Sequence, residues 1–300
     1  MYWWRGSNSN IDWDNVIMNR IRKICVFGSG TMGNGIAHVA AQHNVLTTLI
    51  DIDIKQLDIA KKNILNNLDR QLKKDIISSN EKENTINRIN FSTDIKECIS
   101  ADMIIEAIPE KFEMKAKLFK DLSAFCSNKT ILASNTSSIS ITKLANYVNE
   151  KENLIGMHFM NPVPVMKLVE VINTKFTSKE TTQKVVELSK SMNKFPVECK
   201  DSPGFVSNRI LMPMINEAIE CFQNEVAKVD AIDQIMKLGM SHPMGPLQLA
   251  DFIGLDVCLD IMNVLYEGFN DKKYKPCSLL IEMVNDGLLG KKTGQGFYKY

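Results

Sequence analysis

"CVFGSGTMGNGIAHVAA" occupies residues 25–41 and sets four glycines within the eight positions from Gly28 to Gly35. Glycine loses more conformational freedom on folding than any other residue, so such a cluster is costly unless the backbone needs what only glycine offers. Apolar segments flank it on both sides. "KICVFG" (23–28) reads as a short buried strand, and the residues after the glycines read as a helix through Ala41. Gly28, Gly30 and Gly33 thus form G-x-G-x-x-G at a strand-to-helix junction. In a dinucleotide-binding turn the first glycine permits the bend and the second lets the backbone approach a pyrophosphate. The third lets helix and strand pack closely, and the helix N-terminus faces the negative charge. A ligand-free glycine turn, or a flavin or S-adenosylmethionine site, would carry the same letters.

The next segment sharpens the reading. "VLTTLIDID" (45–53) is a second strand, and Asp51 lies 18 residues past Gly33, where an acid bonds the adenine-ribose hydroxyls. A plain acid at the start of the following helix, favoured by the helix dipole, is the other account of Asp51. With strand, glycines and acid in register, the reading is NAD, because a carboxylate at this place repels the 2′-phosphate of NADP.

Strands continue to alternate with helices. Leu57, Ala60 or Lys61, Ile64, Leu68 and Leu72 recur at helical spacing, and "SSNEKENTINR" (78–88) reads as an exposed loop. "INFS", "ADMIIEAI" (101–108) and "KTILASNT" (129–136) read as strands, with a helix over 109–125 between the last two. This alternation predicts βαβ units and a Rossmann-type α/β domain with a doubly wound, mainly parallel sheet over residues 21–200. "KDSPG" (200–204) reads as a linker. Beyond it an all-α domain over 201–300 is expected, with helices at 205–223, 229–239, 246–267 and 278–289 and a coil tail, "GKKTGQGFYKY".

Composition narrows the functional classes. The 300 residues are 44% hydrophobic and 24% charged, the profile of a globular protein with one large or two ordinary domains. A formal net charge of +1 provides no global field for nucleic acid or an anionic membrane. No apolar run approaches the ~18 residues of a membrane span. Residues 1–20 carry three Trp and two Asp and match neither a secretory signal nor a transit peptide, so they read as an extension. Seven scattered cysteines without C-x-x-C indicate reduced thiols in a reducing compartment. Four histidines without ligand spacing argue against a metal site.

The chemistry concentrates downstream. "ILASNTSSISI" (131–141) ends a strand in hydroxyl and amide side chains, and Ser137 or Ser138 at this point would cap a helix through Tyr147. Ligands bind at the carboxyl ends of such strands, so the capping and functional roles are compatible. In "IGMHFMNPVPVMKLVEV" (155–171), His158 and Glu170 lie six residues either side of Pro164. If the flanking strands fold back antiparallel, the two side chains face each other within hydrogen-bonding reach. A histidine oriented by a carboxylate is a general acid–base pair. A structural ion pair, or a core histidine satisfied by a carbonyl, would show the same spacing.

These strings, with "SPGFVSNRILMPMINEA", "HPMGPLQLADFIGLD" and the tail, resemble the short-chain L-3-hydroxyacyl-CoA dehydrogenase family, most of all its 3-hydroxybutyryl-CoA dehydrogenase members. The resemblance runs from about Arg22 to Tyr300. It implies reversible oxidation of an L-3-hydroxyacyl-CoA to the 3-ketoacyl-CoA by NAD, with His158 as base and Glu170 as its partner. Ser137 and Asn208 would sit at the substrate oxygen. Glu110, Lys115, Ser137, Asn161 and Lys292 would contact NAD, together with Asp51 and the turn residues Gly28, Gly30, Thr31, Met32 and Gly33. Lys74 matches a coenzyme A contact. The helical domain would supply the cleft's other wall and a homodimer interface. The address would be the mitochondrial matrix in a eukaryote and the cytoplasm otherwise. Two other readings share the same plan: a gulonate-type sugar-acid dehydrogenase, and a non-catalytic, crystallin-like dinucleotide-binding protein.

Overall fold

A computed structural model describes residues 20–300; the extension read at 1–20 lies outside the described residues apart from Arg20. The chain divides into two compact units. The first runs to Thr136 and resumes over Ile141–Lys200, and the second comprises Ser137–Ser140 and Asp201–Tyr300.

The first unit is built on eight strands: β1 (Lys23–Phe27), β2 (Leu46–Ile50), β3 (Ile89–Ser92), β4 (Met103–Glu106), β5 (Ile131–Ser134), β6 (Leu154–Phe159), β7 (Leu168–Asn173) and β8 (Phe195–Lys200). They form one sheet in the order β3-β2-β1-β4-β5-β6-β7-β8. The first six strands run parallel; β7 pairs antiparallel with β6, and β8 runs parallel to β7. The expected fold class, a mainly parallel sheet followed by helices, is what the chain adopts. Central strands of such a sheet are covered on both faces and are apolar throughout. Ile24, Cys25 and Val26 in β1 and Met103, Ile104 and Ile105 in β4 are accordingly fully buried.

Helix α1 (Thr31–Gln42) is buried almost all round from Gly33 to Ala41. Helix α2 (Ile54–Leu72) instead buries one stripe, Leu57, Ala60, Ile64 and Leu68; of the other expected positions Lys61 is exposed and Leu72 half-buried. The stretch read as a loop at 78–88 contains helix α3 (Ser79–Asn87), so that reading is corrected. Its signal is a capping box: Ser78 Oγ accepts from Glu81 N–H at 3.2 Å, and the Glu81 carboxylate accepts from Ser78 N–H at 2.7 Å. Only Thr85 is buried in it, so no apolar stripe announces it. Helices α4 (Phe112–Phe125) and α5 (Lys179–Ser191) complete the unit. The helix expected to begin at Ser137 or Ser138 starts at Ile141 and is one turn, followed by a 3-10 turn over Ala145–Tyr147.

In the second unit, α6 (Ser207–Gln223), α7 (Val229–Gly239), α8 (Pro246–Ile253), α9 (Leu255–Phe269) and α10 (Ser278–Asn285) enclose a core that includes Met212, Ile219, Leu247, Leu255, Met262 and Leu265. The single helix expected over 246–267 is broken. Gly254, at φ +103°, ends α8 and turns the chain into α9, a conformation that L side chains rarely adopt. The tail is held by Asp251, whose carboxylate accepts from the backbone N–H groups of Phe297 at 3.0 Å and Tyr298 at 2.8 Å. No helix among the described residues is long and apolar enough to cross a membrane.

His38 in α1 is fully buried, and its Nδ1 has no hydrogen-bond partner among the described residues. Burial, with the charges of His43 and Lys194, pushes its pKa down to about 4. The unfolded chain protonates this histidine near pH 6.5 and the folded chain does not, so the unfolded state gains protons and stability falls as the pH drops from about 6.5 towards 4. Between pH 7 and pH 5 this group removes about 2 kcal/mol. Urea denaturation at the two pH values should therefore show a larger loss for wild type than for His38→Leu. Equal losses would refute a buried, neutral His38.

Candidate active site

The glycine turn lies where β1 meets β2 on one side and β4 on the other, the topological switch point of the sheet. Gly28 N–H donates to the Ile50 carbonyl at 2.8 Å, and Ala107 N–H donates to the Phe27 carbonyl at 2.7 Å. Gly28 has φ +92°, and a Cβ there would lie 2.5 Å from the Ala107 oxygen. A Cβ on Gly33 would lie 1.7 Å from the Gly28 oxygen. These two glycines are required by the protein's own packing. Gly30 is different: φ is −59°, open to any residue, and a Cβ would meet nothing within 4 Å. No atom of the described residues demands glycine at that point. The bare backbone fits a ligand that must come close.

Helix α1 starts at Thr31 and Met32 with no side-chain cap and no acid in its first turn, which suits an anionic ligand. Asp51, just past β2, accepts from Ser29 N–H and Ser29 Oγ at 2.7 Å each through Oδ2, and from Asp53 N–H at 3.1 Å through Oδ1. A carboxylate has about four acceptor sites, so this one is oriented with capacity for a ribose hydroxyl. The residues present fit NAD.

At the ends of β4 and β5 lies a polar cluster that the sequence reading missed. Glu106, fully buried, accepts from Lys115 Nζ at 2.5 Å, Ile108 N–H at 2.8 Å and Ser134 Oγ at 2.6 Å. Burial pushes its carboxyl upward, opposed by Lys115 and the hydrogen bonds. Lys115 is only 1% exposed, and its ammonium also reaches Glu110 at 3.2 Å. Thr136 Oγ1 donates to the other Glu110 oxygen. Lys115 therefore acts within the protein, fixing Glu110, which is 38% exposed and able to meet a ligand. The available signal was an acid closing the apolar run "MIIE" with a lysine nine residues on.

β6 and β7 pair with His158 opposite Glu170. His158 Nδ1 lies 2.8 Å from Glu170 Oε2, and both residues are buried. Asn135 Oδ1 accepts from Phe159 N–H at 2.9 Å, tying the end of β6 to the end of β5. Beyond β6, Asn161 shares a cavity of about 220 Å³ with Thr31, Asn34, Asn67 and Arg70, so the loop after His158 opens beside the glycine turn. Lys194 holds this loop from beneath: its buried ammonium donates to the carbonyls of Val163 and Met166. Lys74 is exposed past the end of α2. A surface cavity of about 800 Å³ lies at the opposite ends of β4 and β5, beside Asp102 and Ile131, and contains none of these residues.

Ser137 and Asn208 both belong to the second unit. Asn208, 8% exposed, donates through Nδ2 to the Ser137 carbonyl at 2.9 Å. Lys292 pairs with Asp256 in the same unit.

Residues 23–202 match the NAD binding domain of 3-hydroxyacyl-CoA dehydrogenase, and residues 204–300 match its C-terminal domain. The chain belongs to this family. It is 51% identical over 280 residues to the probable 3-hydroxybutyryl-CoA dehydrogenase of Bacillus subtilis, covering 93% of this chain and 98% of that protein. It is 42% identical over 288 residues to the human mitochondrial hydroxyacyl-coenzyme A dehydrogenase, covering 93% and 91%. The crystal structure of (S)-3-hydroxybutyryl-CoA dehydrogenase from Ralstonia eutropha superimposes with a TM-score of 0.91 at 46% identity, covering 93% of this chain and 99% of that one.

Removing one member of a buried ion pair leaves an uncompensated charge and costs ~3–5 kcal/mol, whereas replacing both is often close to neutral. Lys115→Met should therefore lower the urea-unfolding free energy by that amount, and Glu106→Gln combined with Lys115→Met should recover most of it. Additive losses would refute the pairing.

Proposed function

We propose that this protein oxidises L-3-hydroxyacyl-CoA substrates reversibly to 3-ketoacyl-CoA with NAD, using His158 as the acid–base group and Glu170 as its partner. The observation that carries the mechanism is the 2.8 Å contact between His158 Nδ1 and Glu170 Oε2 in a buried cross-strand pair. When bound, NAD supplies the hydride acceptor for C3. The chain supplies proton handling and position. Nδ1–H is directed at the carboxylate, so the proton exchanged with the substrate hydroxyl is carried on Nε2. In oxidation, neutral His158 takes the hydroxyl proton and becomes imidazolium, which Glu170 stabilises. In reduction, the same imidazolium returns the proton to the forming hydroxyl.

Ser137 and Asn208 are assigned to the substrate oxygen, and the bond between them supports a joint positioning role. The glycine turn, Asp51, Glu110, Asn161 and Lys292 are assigned to NAD, with Lys115 acting through Glu110. Lys74 is assigned to the anionic coenzyme A. The domains are taken as 21–200 for NAD and 201–300 for substrate and dimerisation, after an extension at 1–20. A homodimer would cover the exposed Ile235 and Leu238 of α7 and Ile210 of α6, which are 58%, 83% and 66% exposed. Leu238→Asp should shift the light-scattering mass from dimer to monomer; an unchanged mass would place the interface elsewhere.

The deciding assay follows NADH oxidation with acetoacetyl-CoA beside free sugar acids. Turnover of the thioester alone supports the proposal; turnover of sugar acids, or NADH binding without turnover, overturns it. His158→Ala should reduce kcat about 10²–10⁴-fold, with Glu170→Gln also impaired and NADH binding retained in both. An active Glu170→Gln enzyme would remove Glu170 from the mechanism. Asp51→Ala should weaken NADH binding roughly 10- to 100-fold and narrow the preference over NADPH. Tighter binding of NADPH than NADH by wild type would refute the role of Asp51.

A further inference from the structure

Cys98 closes the 3-10 turn Ile95–Cys98 and is fully buried. Cys126 follows α4, is only partly buried, and lies with its sulfur 3.9 Å from that of Cys98. Each stands five residues before a member of the registered pair Met103 and Ile131. The two thiols therefore meet at the amino ends of β4 and β5, away from the strand ends that carry Glu106 and Ser134. Cys126 lines a surface cavity of about 170 Å³ with Ser123, Asn128 and Leu132. A water occupies about 30 Å³, so a small peroxide has room to enter.

We propose that Cys98 and Cys126 form a peroxide-responsive dithiol: Cys126 is oxidised first, and Cys98 resolves it into a reversible disulfide. The Cys126 thiolate attacks one oxygen of hydrogen peroxide, the O–O bond breaks, and the departing hydroxide takes a proton to leave as water. This gives a sulfenic acid at Cys126. The Cys98 sulfur then attacks the Cys126 sulfur; the S–S bond forms, the S–O bond breaks, and the second oxygen leaves as water with the Cys98 proton. Two thiols and one peroxide become one disulfide and two waters.

The surroundings support this order. The contact with Cys126 and burial both push the Cys98 thiol upward, so the buried partner is held as a thiol. Cys126, partly exposed and lining the cavity, is the sulfur that peroxide can reach, whereas Cys98 is fully buried. Bond formation requires the sulfurs to close by about 1.9 Å, from 3.9 Å to the bonded distance. Cys126 stands past the helix in extended backbone, at φ −77° and ψ 160°, so the preceding turn does not block its side-chain rotation. Cys25 is committed differently, donating to the Glu97 carbonyl at 3.7 Å, and burial raises its thiol to about 11.

The test treats the reduced, full-length protein with stoichiometric hydrogen peroxide and maps its peptides without reduction. The expected result is a Cys98–Cys126 linked peptide within one chain, lost on adding dithiothreitol, with a rise in Tm and unchanged NADH binding. In Cys98→Ser, dimedone should label Cys126, and further peroxide should drive it to sulfinic acid. In Cys126→Ser, Cys98 should stay alkylatable after the same treatment. Should Cys98→Ser fail to fold, blocking Cys126 of native wild type with iodoacetamide must abolish the linked peptide. Sulfinic acid at Cys126 of wild type with the Cys98 thiol intact, or a bond only between chains, would overturn the proposal.

Discussion

The first unit depends on one close approach: the Gly28 carbonyl lies where a side chain on Gly33 would begin. No L side chain fits there, so α1 can be laid directly against the end of β1. That contact decides where the N-terminus of α1 points and how much of the helix disappears into the core. Once α1 is seated, β2 and β4 flank β1, and Gly28 and Ala107 close the turn with hydrogen bonds from both sides. The pyrophosphate cradle is a consequence of this packing. Gly30 alone among the three is not required by the packing of the described residues.

A second tier of order comes from burying charge behind the turn. Glu106 and Lys115 sit among apolar strands, where each alone would be expensive, and each is satisfied by the other and by Ser134, Ile108 and Glu110. The network extends through Glu110 to Thr136, and Ser137 follows covalently. The dipoles and charges at these strand ends are thus held in one arrangement by the protein's own contacts.

What the sequence revealed follows from how local each signal is. The glycine spacing, the apolar strands and the stripe of Leu57, Ala60, Ile64 and Leu68 are short-range patterns with a fixed period, and they led to the correct fold class. Helix α3 escaped because its evidence is a capping box on a polar background, with only Thr85 buried. Gly254 escaped because a break by positive φ looks, in letters, like one glycine inside an amphipathic run. The burial of Lys115 was illegible for a different reason. Lysine is ordinarily exposed, and only the tertiary placement of Glu106 makes a fully buried ammonium acceptable. Similarly, nothing in the chain's letters shows that Cys98 and Cys126, 28 residues apart, meet at the amino ends of β4 and β5.

The reversal of strand direction between β6 and β7 gives the site its particular character. Parallel neighbours require a crossover of a dozen or more residues, usually a helix, so partners in a parallel pair come from distant segments. An antiparallel pair needs only a short turn and places residues equidistant from it directly opposite each other. His158 and Glu170 use that symmetry, with Asn161 on the turn itself and Lys194 pinning the turn from below. One short segment thus holds a histidine, its carboxylate and an amide beside the glycine turn, while the parallel part of the sheet provides the dinucleotide cradle. A sheet parallel throughout would separate the histidine from its carboxylate by a full crossover. The chain introduces its antiparallel pair at the strand that carries His158, and so brings Glu170 against it.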